Sequence, residues 1–433
     1  MQRSCPWSLT LPVLLLTALS PALQARPEDE ARSDVPRDEG RLDPAEAQQL
    51  THAQLELACA LVGALDPADK RGNLVLSPWS ITQALAMASA GARGETDAEL
   101  RKLLRASLPP ERLHPALGAL ERTLNARSQQ QPSRRGGRPF TLRSANALWG
   151  QAGREFQPDF LRLLAASYGA GMRLVDYGAD PDGARARINA WVAESTEQRI
   201  KDLLRPPTPS PATRLVLVNA VYFLADWEHP FPQEATRPTA FTRLDGSQVQ
   251  APTMHQYSYL QLVQLEGARA LALPYTGRAV TCWVLLPDRG DQLDALLTRL
   301  PELAGQLTRA GPASFVQLAL PKLQFQWRAG LVPALEQLGV SQATDPARAD
   351  FSGMDGTREL FIGSVTHQAF LAVDERGTEA AAATAVEMAA GSVPPPPVPF
   401  LVDRPFLLLI RDDATGAPLF LARVVDPTAR AGS

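Results

Sequence analysis

Val373-Asp374-Glu375-Arg376-Gly377-Thr378-Glu379-Ala380-Ala381-Ala382-Ala383-Thr384-Ala385-Val386-Glu387-Met388-Ala389-Ala390-Gly391-Ser392-Val393-Pro394-Pro395-Pro396-Pro397-Val398-Pro399-Phe400 is the stretch on which the fold of this chain turns. Its first half is alanine-rich, and alanine is the best helix former, so a plain helix is one reading. Period two offers another. Thr378, Ala380, Ala382, Thr384, Val386, Met388 and Ala390 form one alternate set and are all uncharged, whereas Glu379 and Glu387 both fall in the other set. A strand made from this segment would have one face fit for burial and one fit for water. On a helix the two acids also lie near one face, so pattern alone leaves both conformations open.

Working outward, helical spacing of apolar residues appears at 54–65, 81–90 and 98–104. Strand-like runs follow at 213–223, 270–273, 281–286, 315–320 and 407–410, separated by long stretches without a fixed repeat. Mixed helices and non-sequential strands predict one α+β domain.

Several longer motifs narrow this further. Downstream of the quoted stretch stands Phe400-Leu401-Val402-Asp403-Arg404-Pro405-Phe406-Leu407; upstream stand Asn73-Leu74-Val75-Leu76-Ser77-Pro78-Trp79-Ser80 and Gly91-Ala92-Arg93-Gly94-Glu95-Thr96. Between them lie Ser144-Ala145-Asn146-Ala147-Leu148-Trp149, Ile188-Asn189-Ala190-Trp191-Val192, Val218-Asn219-Ala220-Val221-Tyr222-Phe223 with Trp227, Leu320-Pro321-Lys322, and Ala349-Asp350-Phe351-Ser352-Gly353. In these motifs, and in their order, the chain resembles the serpins. Leu224, Arg199 and Gln368 depart from the residues most frequent at their positions, and none of them touches the hinge.

The resemblance implies three β-sheets with surrounding helices and an exposed reactive-centre loop over about 375–399. The hinge would comprise Glu375, Gly377, Thr378, Glu379, Ala380, Ala381, Ala382 and Ala383. A target serine protease would attack a loop carbonyl, and the severed amino-side half would enter the large sheet as a new central strand. Counted from Glu375 and from Phe400 as in inhibitory members, the reactive bond falls between Gly391 and Ser392; cleavage after Ala390 or after Met388 stays open. Small residues at 389–391 favour an elastase-like or subtilisin-like target. The expectation is a secreted suicide-substrate inhibitor, monomeric, prone to polymerisation by loop swapping; the alternative is a non-inhibitory serpin acting as carrier or chaperone. Ser77, Ser80, Asn219 and His367 match the family's polar cluster beneath the centre of the sheet, and Trp227 the place where the loop first enters. They read either as a gate or as satisfied core polars.

The stretch from Thr378 to Gly391 contains no proline, as a central strand requires, since proline lacks a backbone donor. Pro394–Pro397 lie on the carboxyl side, either as a stiff polyproline II strut or as a mere loop marker.

The rest of the sequence excludes more than it adds. No Gly-x-Ser-x-Gly, His-Glu-x-x-His, phosphate-loop or dinucleotide motif is present, and His52, His114, His229, His255 and His367 have no metal-ligand spacing. No enzyme, metal or cofactor is expected. With 43 Lys plus Arg against 46 Asp plus Glu, a nucleic-acid partner is not expected either. Arg134, Arg135 and Arg138 in a polar loop read as a weak polyanion patch or as solvated charges. Arg289-Gly290-Asp291 reads as a polar turn rather than an integrin ligand.

Arg3, the apolar run Leu9–Leu19 and small residues up to Ala25 read as a signal peptide over 1–25, so the mature protein is expected in an extracellular or periplasmic compartment, without a membrane span. Residues 26–50, charged and proline-containing, read as a solvated tail ahead of a domain at 51–428, with 429–433 as a C-terminal tail. Cys59 and Cys282 remain after Cys5 leaves with the signal. They are read as buried and unpaired, with a disulfide as the alternative.

Overall fold

A computed structural model describes residues 30–65, 72–105, 107–128, 140–307, 312–378 and 395–429. Its largest sheet runs β1 (Glu30–Ala31), β4 (Met172–Val175), β3 (Thr141–Gln151), β5 (Leu215–Asp226), β13 (Ile362–Val373) and β12 (Leu323–Gly330), with β14 (Gly377–Thr378) paired to β5 off that path. A second sheet is ordered β2 (Leu74–Leu76), β17 (Pro418–Val424), β16 (Phe406–Asp412), β10 (Val280–Pro287), β9 (Ala268–Pro274) and β8 (Leu262–Leu265). The third comprises β15 (Val398–Leu401), β11 (Ser314–Pro321), β7 (Gln248–Leu260) and β6 (Arg237–Thr242). The α+β architecture with three sheets is therefore as the sequence implies. Each strand-like run falls on a strand, with ends that agree to within three residues.

Among the helices are α1 (Pro44–Leu65), α2 (Pro78–Ser89), α3 (Gly94–Leu104), α4 (Pro110–Ser128), α5 (Pro158–Leu163) and α6 (Pro181–Ser195). α2 is buried along its whole length, under the large sheet and against β17. Ser77 caps it, its Oγ accepting from the Ser80 amide at 3.2 Å, and Pro78 fills the first helical position, where a missing N–H costs nothing. α6 covers the other face of the sheet, with Ile188 and Val192 packed among Val216, Val218 and Ala220 of β5.

The solvated tail expected over 26–50 is not what its described part forms. α1 starts at Pro44, where the Asp43 carboxylate accepts from the Ala45 amide at 2.8 Å, so an N-cap and a first-turn proline mark the start ahead of any apolar periodicity. Ahead of it, Glu30–Ala31 pair with β4, the Asp38 amide donates to Ala166 O at 2.8 Å, and Arg37 pairs with the largely buried Glu121 at 2.6 Å. Charge and proline keep this segment from building a core of its own, but an ion pair to α4 and backbone bonds to β4 and to the segment after α5 hold it in place.

Cys59 and Cys282 are both free, one in α1 and the other in β10, in different core clusters. Burial pushes each thiol up to about 12. Arg289 and Asp291 pair with each other at 2.5 Å across a short 3-10 turn, as a polar turn would. Residues 1–25 of the expected signal peptide, and Arg134, Arg135 and Arg138 of the basic loop, lie outside the described residues.

α4 crosses the segment after α5 at Gly118, where an added Cβ would stand 2.0 Å from Ser167 O. Gly118→Ala should therefore force a backbone shift and destabilise the fold by about 1–3 kcal/mol, read as a fall in the thermal midpoint against the native chain.

Candidate functional site at the hinge of the large sheet

β5 and β13 run parallel and pair from Leu215 and Ile362 up to Tyr222 and Phe370. Beyond that row they part. Ala225 and Asp226, the last residues of β5, instead pair antiparallel with Thr378 and Gly377. The chain thus leaves β13 at Val373, turns, and comes back against β5 at the top of the opening.

The turn is closed locally. Asp374 Oδ1 accepts from the amides of Arg376 and Gly377 at 2.9 and 3.2 Å, and the Asp374 amide donates to Gly377 O at 2.9 Å. Gly377 has no freedom to be anything larger here, because a Cβ would stand 2.0 Å from Ala225 O. Trp227 then ties the turn to the sheet: its amide donates to Arg376 O at 2.7 Å and its indole N–H to Asp374 O at 2.9 Å. The indole stacks on Tyr275 at 4.5 Å, and the Tyr275 hydroxyl meets Thr378 Oγ1 at 2.7 Å. Thr378 is fully buried, and Gly377 beside it is buried as well.

Glu375 is buried in the same turn. Lys322 Nζ reaches both of its oxygens, at 2.8 and 3.1 Å, and Thr236 Oγ1 donates to it at 2.7 Å. Burial alone would raise its carboxyl, but the bonds from Lys322 and Thr236 outweigh that and hold it below the ordinary carboxylate range. A carboxyl depressed in this way contributes its stabilisation above the ordinary carboxylate pKa and loses it as acid protonates the folded form. The anchor is an anchor at neutral pH.

Midway down the sheet a polar row crosses three strands. Asn146 of β3 lies opposite Asn219 of β5, and Asn219 opposite His367 of β13. Asn219 Nδ2 donates to Ser80 Oγ at 2.7 Å and to Asn146 Oδ1 at 2.8 Å, and Ser80 Oγ donates to Asn146 Oδ1 at 2.8 Å. The Ser77 amide donates to His367 Nε2 at 3.2 Å, which leaves the proton on Nδ1, facing Asn219 Oδ1. Burial lowers the His367 pKa to about 3, so the ring is neutral. Ser77, Ser80, Asn219 and His367 thus come together as the sequence grouped them, with every member bonded.

Of the remaining hinge residues, Glu379, Ala380, Ala381, Ala382 and Ala383 lie outside the described residues, as do Gly391 and Ser392 of the expected reactive bond. Three partners escaped sequence reasoning. Asn146 and Lys322 were visible only inside motifs, although an amide between two alanines in a buried strand, and a buried acid needing a cation, are the signals that point to them. Tyr275 carried no signal of its own. Arg199, one of the departures, places its guanidinium 5.5 Å from the Tyr222 ring, a cation–π contact.

A family model described as Serpin (serine protease inhibitor) matches residues 52–427. This chain belongs to the serpin family. It is 34% identical over 395 residues to the leukocyte elastase inhibitor of Homo sapiens, covering 88% of this chain and 100% of the relative. It is 36% identical over 381 residues to putative serpin-Z12 of Oryza sativa, with 82% and 86% covered. Among solved structures it is similar to the thermophilic serpin tengpin in its native state, with TM-score 0.78, 26% identity and coverage of 92% and 97%. It is also similar to Serpin48 of Tenebrio molitor, described as highly specific, with TM-score 0.75, 28% identity and coverage of 89% and 100%. Among the described residues of this serpin no group of three or more His, Cys, Asp or Glu is placed to hold a metal, and no helix is long and apolar enough to cross a membrane.

The neutral His367 sets a pH dependence. An unfolded histidine takes up its proton near 6.5, the buried one only near 3, so between those values the unfolded chain holds the extra proton and stability falls as pH falls. Above 6.5 the effect vanishes. His367→Gln should flatten the slope of unfolding free energy against pH below 6.5 by up to about 1.4 kcal/mol per pH unit. Denaturant midpoints of the two proteins between pH 7.5 and 4.5 would measure it; His114, lowered to about 4 by burial, is common to both and drops out of the comparison.

Proposed function

We propose that this serpin is an exported suicide-substrate inhibitor that traps an elastase-like or subtilisin-like serine protease. One observation carries the reading: Gly377 and Thr378 are already paired with the end of β5 at the place where β5 and β13 part. The hinge stands as the first two residues of a strand whose slot lies between them.

The protease serine would attack the Gly391 carbonyl carbon; the bond to the Ser392 nitrogen breaks, the amine leaves with the proton, and an ester joins Gly391 to the protease. The freed half then continues the existing register. From Thr378 against Ala225, an antiparallel ladder sets Ala380 beside Phe223, Ala382 beside Val221, Thr384 beside Asn219, Val386 beside Leu217 and Met388 beside Leu215. Apart from the Asn219 of the polar row, those β5 neighbours are fully buried apolar residues, so the uncharged alternate set meets the core along its length. Glu379 falls beside half-buried Leu224. Glu387 falls beside Val216, on the face that α6 covers in the intact form, so α6 has to give way there.

Gly391 comes out three residues past the pairing of Met388 with Leu215, the far end of β5. The attached protease would be carried the length of the strand. About a dozen ladder bonds at ~1 kcal/mol each, with apolar burial added, amount to on the order of ten kcal/mol, comparable to the whole stability of a domain. That suffices to make capture irreversible. For the polar row to admit the strand, Thr384 would have to replace His367 as the neighbour of Asn219, and we read Ser77, Ser80, Asn219 and His367 as the gate. The same opening would accept a neighbour's loop, so a monomer that polymerises by loop swapping is the expected assembly behaviour.

Specificity for a small apolar pocket is supported by Ala389, Ala390 and Gly391, none of which offers a charge or an aromatic ring, and by similarity to leukocyte elastase inhibitors. Export is supported by Arg3, the run Leu9–Leu19 and the small residues up to Ala25.

Incubation with pancreatic elastase and with subtilisin should give a complex that survives SDS, and the loop-cleaved protein should melt more than about 10 °C above the intact one, as a gain on the order of ten kcal/mol requires. Cleavage without complex, or an unchanged melting temperature, would mark a non-inhibitory serpin instead. Thr378→Arg, which puts a charge against Tyr275 in the inserting face, should raise the moles of inhibitor consumed per protease several-fold and shift the product toward free cleaved chain; an unaltered complex yield would refute the face assignment.

A further inference from the structure

Arg328 of β12 lies directly opposite Gln368 of β13, and Gln368 has Ala220 of β5 as its neighbour on the other side. The row stands on the α6 face of the large sheet, since Ala220 packs in the same cluster as Ile188 and Val192 of α6. Gln368, one of the departures from the family's frequent residues, is only 4% exposed, and its Oε1 is a buried acceptor without a hydrogen bond. Leaving such a group unpaired destabilises the state that buries it.

The guanidinium opposite is turned elsewhere. Arg328 Nη1 donates to Leu203 O at 3.3 Å. Burial and the nearby Arg205 both lower the pKa of Arg328, and among the described residues no carboxylate answers them. A long bond to a neutral carbonyl, with a like charge close by, is a weak hold.

Leu203 belongs to the connection between α6 and β5, and that connection is fastened to β5. Its Ile200, Leu203 and Leu204 are buried among Val216, Val218 and Ala220, and Arg199 lies over Tyr222. Asn189 of α6 bonds the Leu204 amide and carbonyl at 2.8 and 2.9 Å. β12, by contrast, is paired with β13 from Leu323 to Gly330. Arg328 and Gln368 therefore stand together on one side of the β5–β13 seam, and Leu203 stands on the other. When the seam parts, the bond to Leu203 O is pulled open while Gln368 moves with Arg328. Directly opposed side chains of an antiparallel pair have Cβ atoms about 4.5–5.5 Å apart, well within reach of a guanidinium.

We infer that Arg328 is a two-position latch on the seam: closed, it holds the connection from α6 through Leu203 O, and as β5 and β13 separate it transfers to Gln368 Oε1, which lowers the barrier to strand insertion. The inference rests on the inhibitor reading and deepens it, by naming a positioning residue that acts on the opening of the sheet rather than on the protease.

The test is a double-mutant cycle of Arg328→Ala, Gln368→Met and the two combined, run with whichever protease of an elastase-, subtilisin-, chymotrypsin- and trypsin-type panel forms the SDS-stable complex. The ratio of cleaved chain released to complex formed reports how often insertion loses to deacylation. Gln368→Met removes the acceptor at nearly constant volume. It should raise the thermal midpoint of the intact chain, raise that ratio about tenfold and leave the rate of first attack on the loop unchanged. In the Arg328→Ala background the same substitution should leave the ratio where it was, because there the acceptor has no donor in either state. Arg328→Lys, which keeps a donor of similar reach, should keep the native ratio. Effects of Arg328→Ala and Gln368→Met that multiply independently would overturn the inference while leaving the inhibitor reading intact. An unaltered ratio in Gln368→Met would do the same. Absence of a complex with every member of the panel would defeat the inhibitor reading, and this inference with it.

Discussion

β5 is a strand whose backbone is not matched by its neighbour for its full length. It pairs with β13 up to Tyr222, then β13 ends in a turn, and the last residues of β5 still carry amides and carbonyls inside a protein core. Buried backbone groups have to be bonded. Gly377 and Thr378 answer that need for Ala225 and Asp226, and the rest of the hinge is arranged so that they can. Trp227 bonds the turn from one side, Lys322 and Thr236 hold Glu375 from the other, and Tyr275 sits beneath, touching both Trp227 and Thr378. The constraint is one of backbone valence, and it explains why a glycine with no room for a Cβ stands at position 377.

The polar row in the middle of the sheet is the second unusual feature. Leucine, valine and phenylalanine in place of the polar row would add to the β5–β13 ladder only burial, which has no direction and no preferred partner. Asn146, Asn219, His367, Ser77 and Ser80 add specific bonds to it, with an imidazole kept neutral by burial. Such a network is stable while complete and costly when any member loses its partner. In the proposed insertion Thr384 takes the place beside Asn219, so the seam exchanges one polar neighbour for another rather than opening onto nothing.

The amino-terminal segment shows the opposite economy. Residues 30–43 have almost no apolar side chain to bury, yet they lie against α4 through Arg37 and Glu121, against the segment after α5 through the Asp38 amide, and against β4 through a two-residue strand. Burial raises the Glu121 carboxyl in spite of Arg37, so this ion pair fixes where the segment lies more than it adds stability.

Much of this was legible in the chain itself. Alternation put Thr378 in an uncharged set fit for burial, the strand-like runs marked five of the strands and the helical spacings three of the helices, and long motifs in order pointed to the family, because side-chain period and motif spacing are properties of neighbouring residues. Ser77, Ser80, Asn219 and His367 could be grouped through the resemblance. Local pattern could not show that Asn146 joins them, that Lys322 neutralises Glu375 from 53 positions away, or that Trp227 bonds Asp374 across 147. Nor could it choose between solvent and a strand for residues 30–43, whose composition is that of a solvated tail. Those outcomes depend on which distant backbones the packed sheets bring within a few ångströms of one another, and only the tertiary structure decides that.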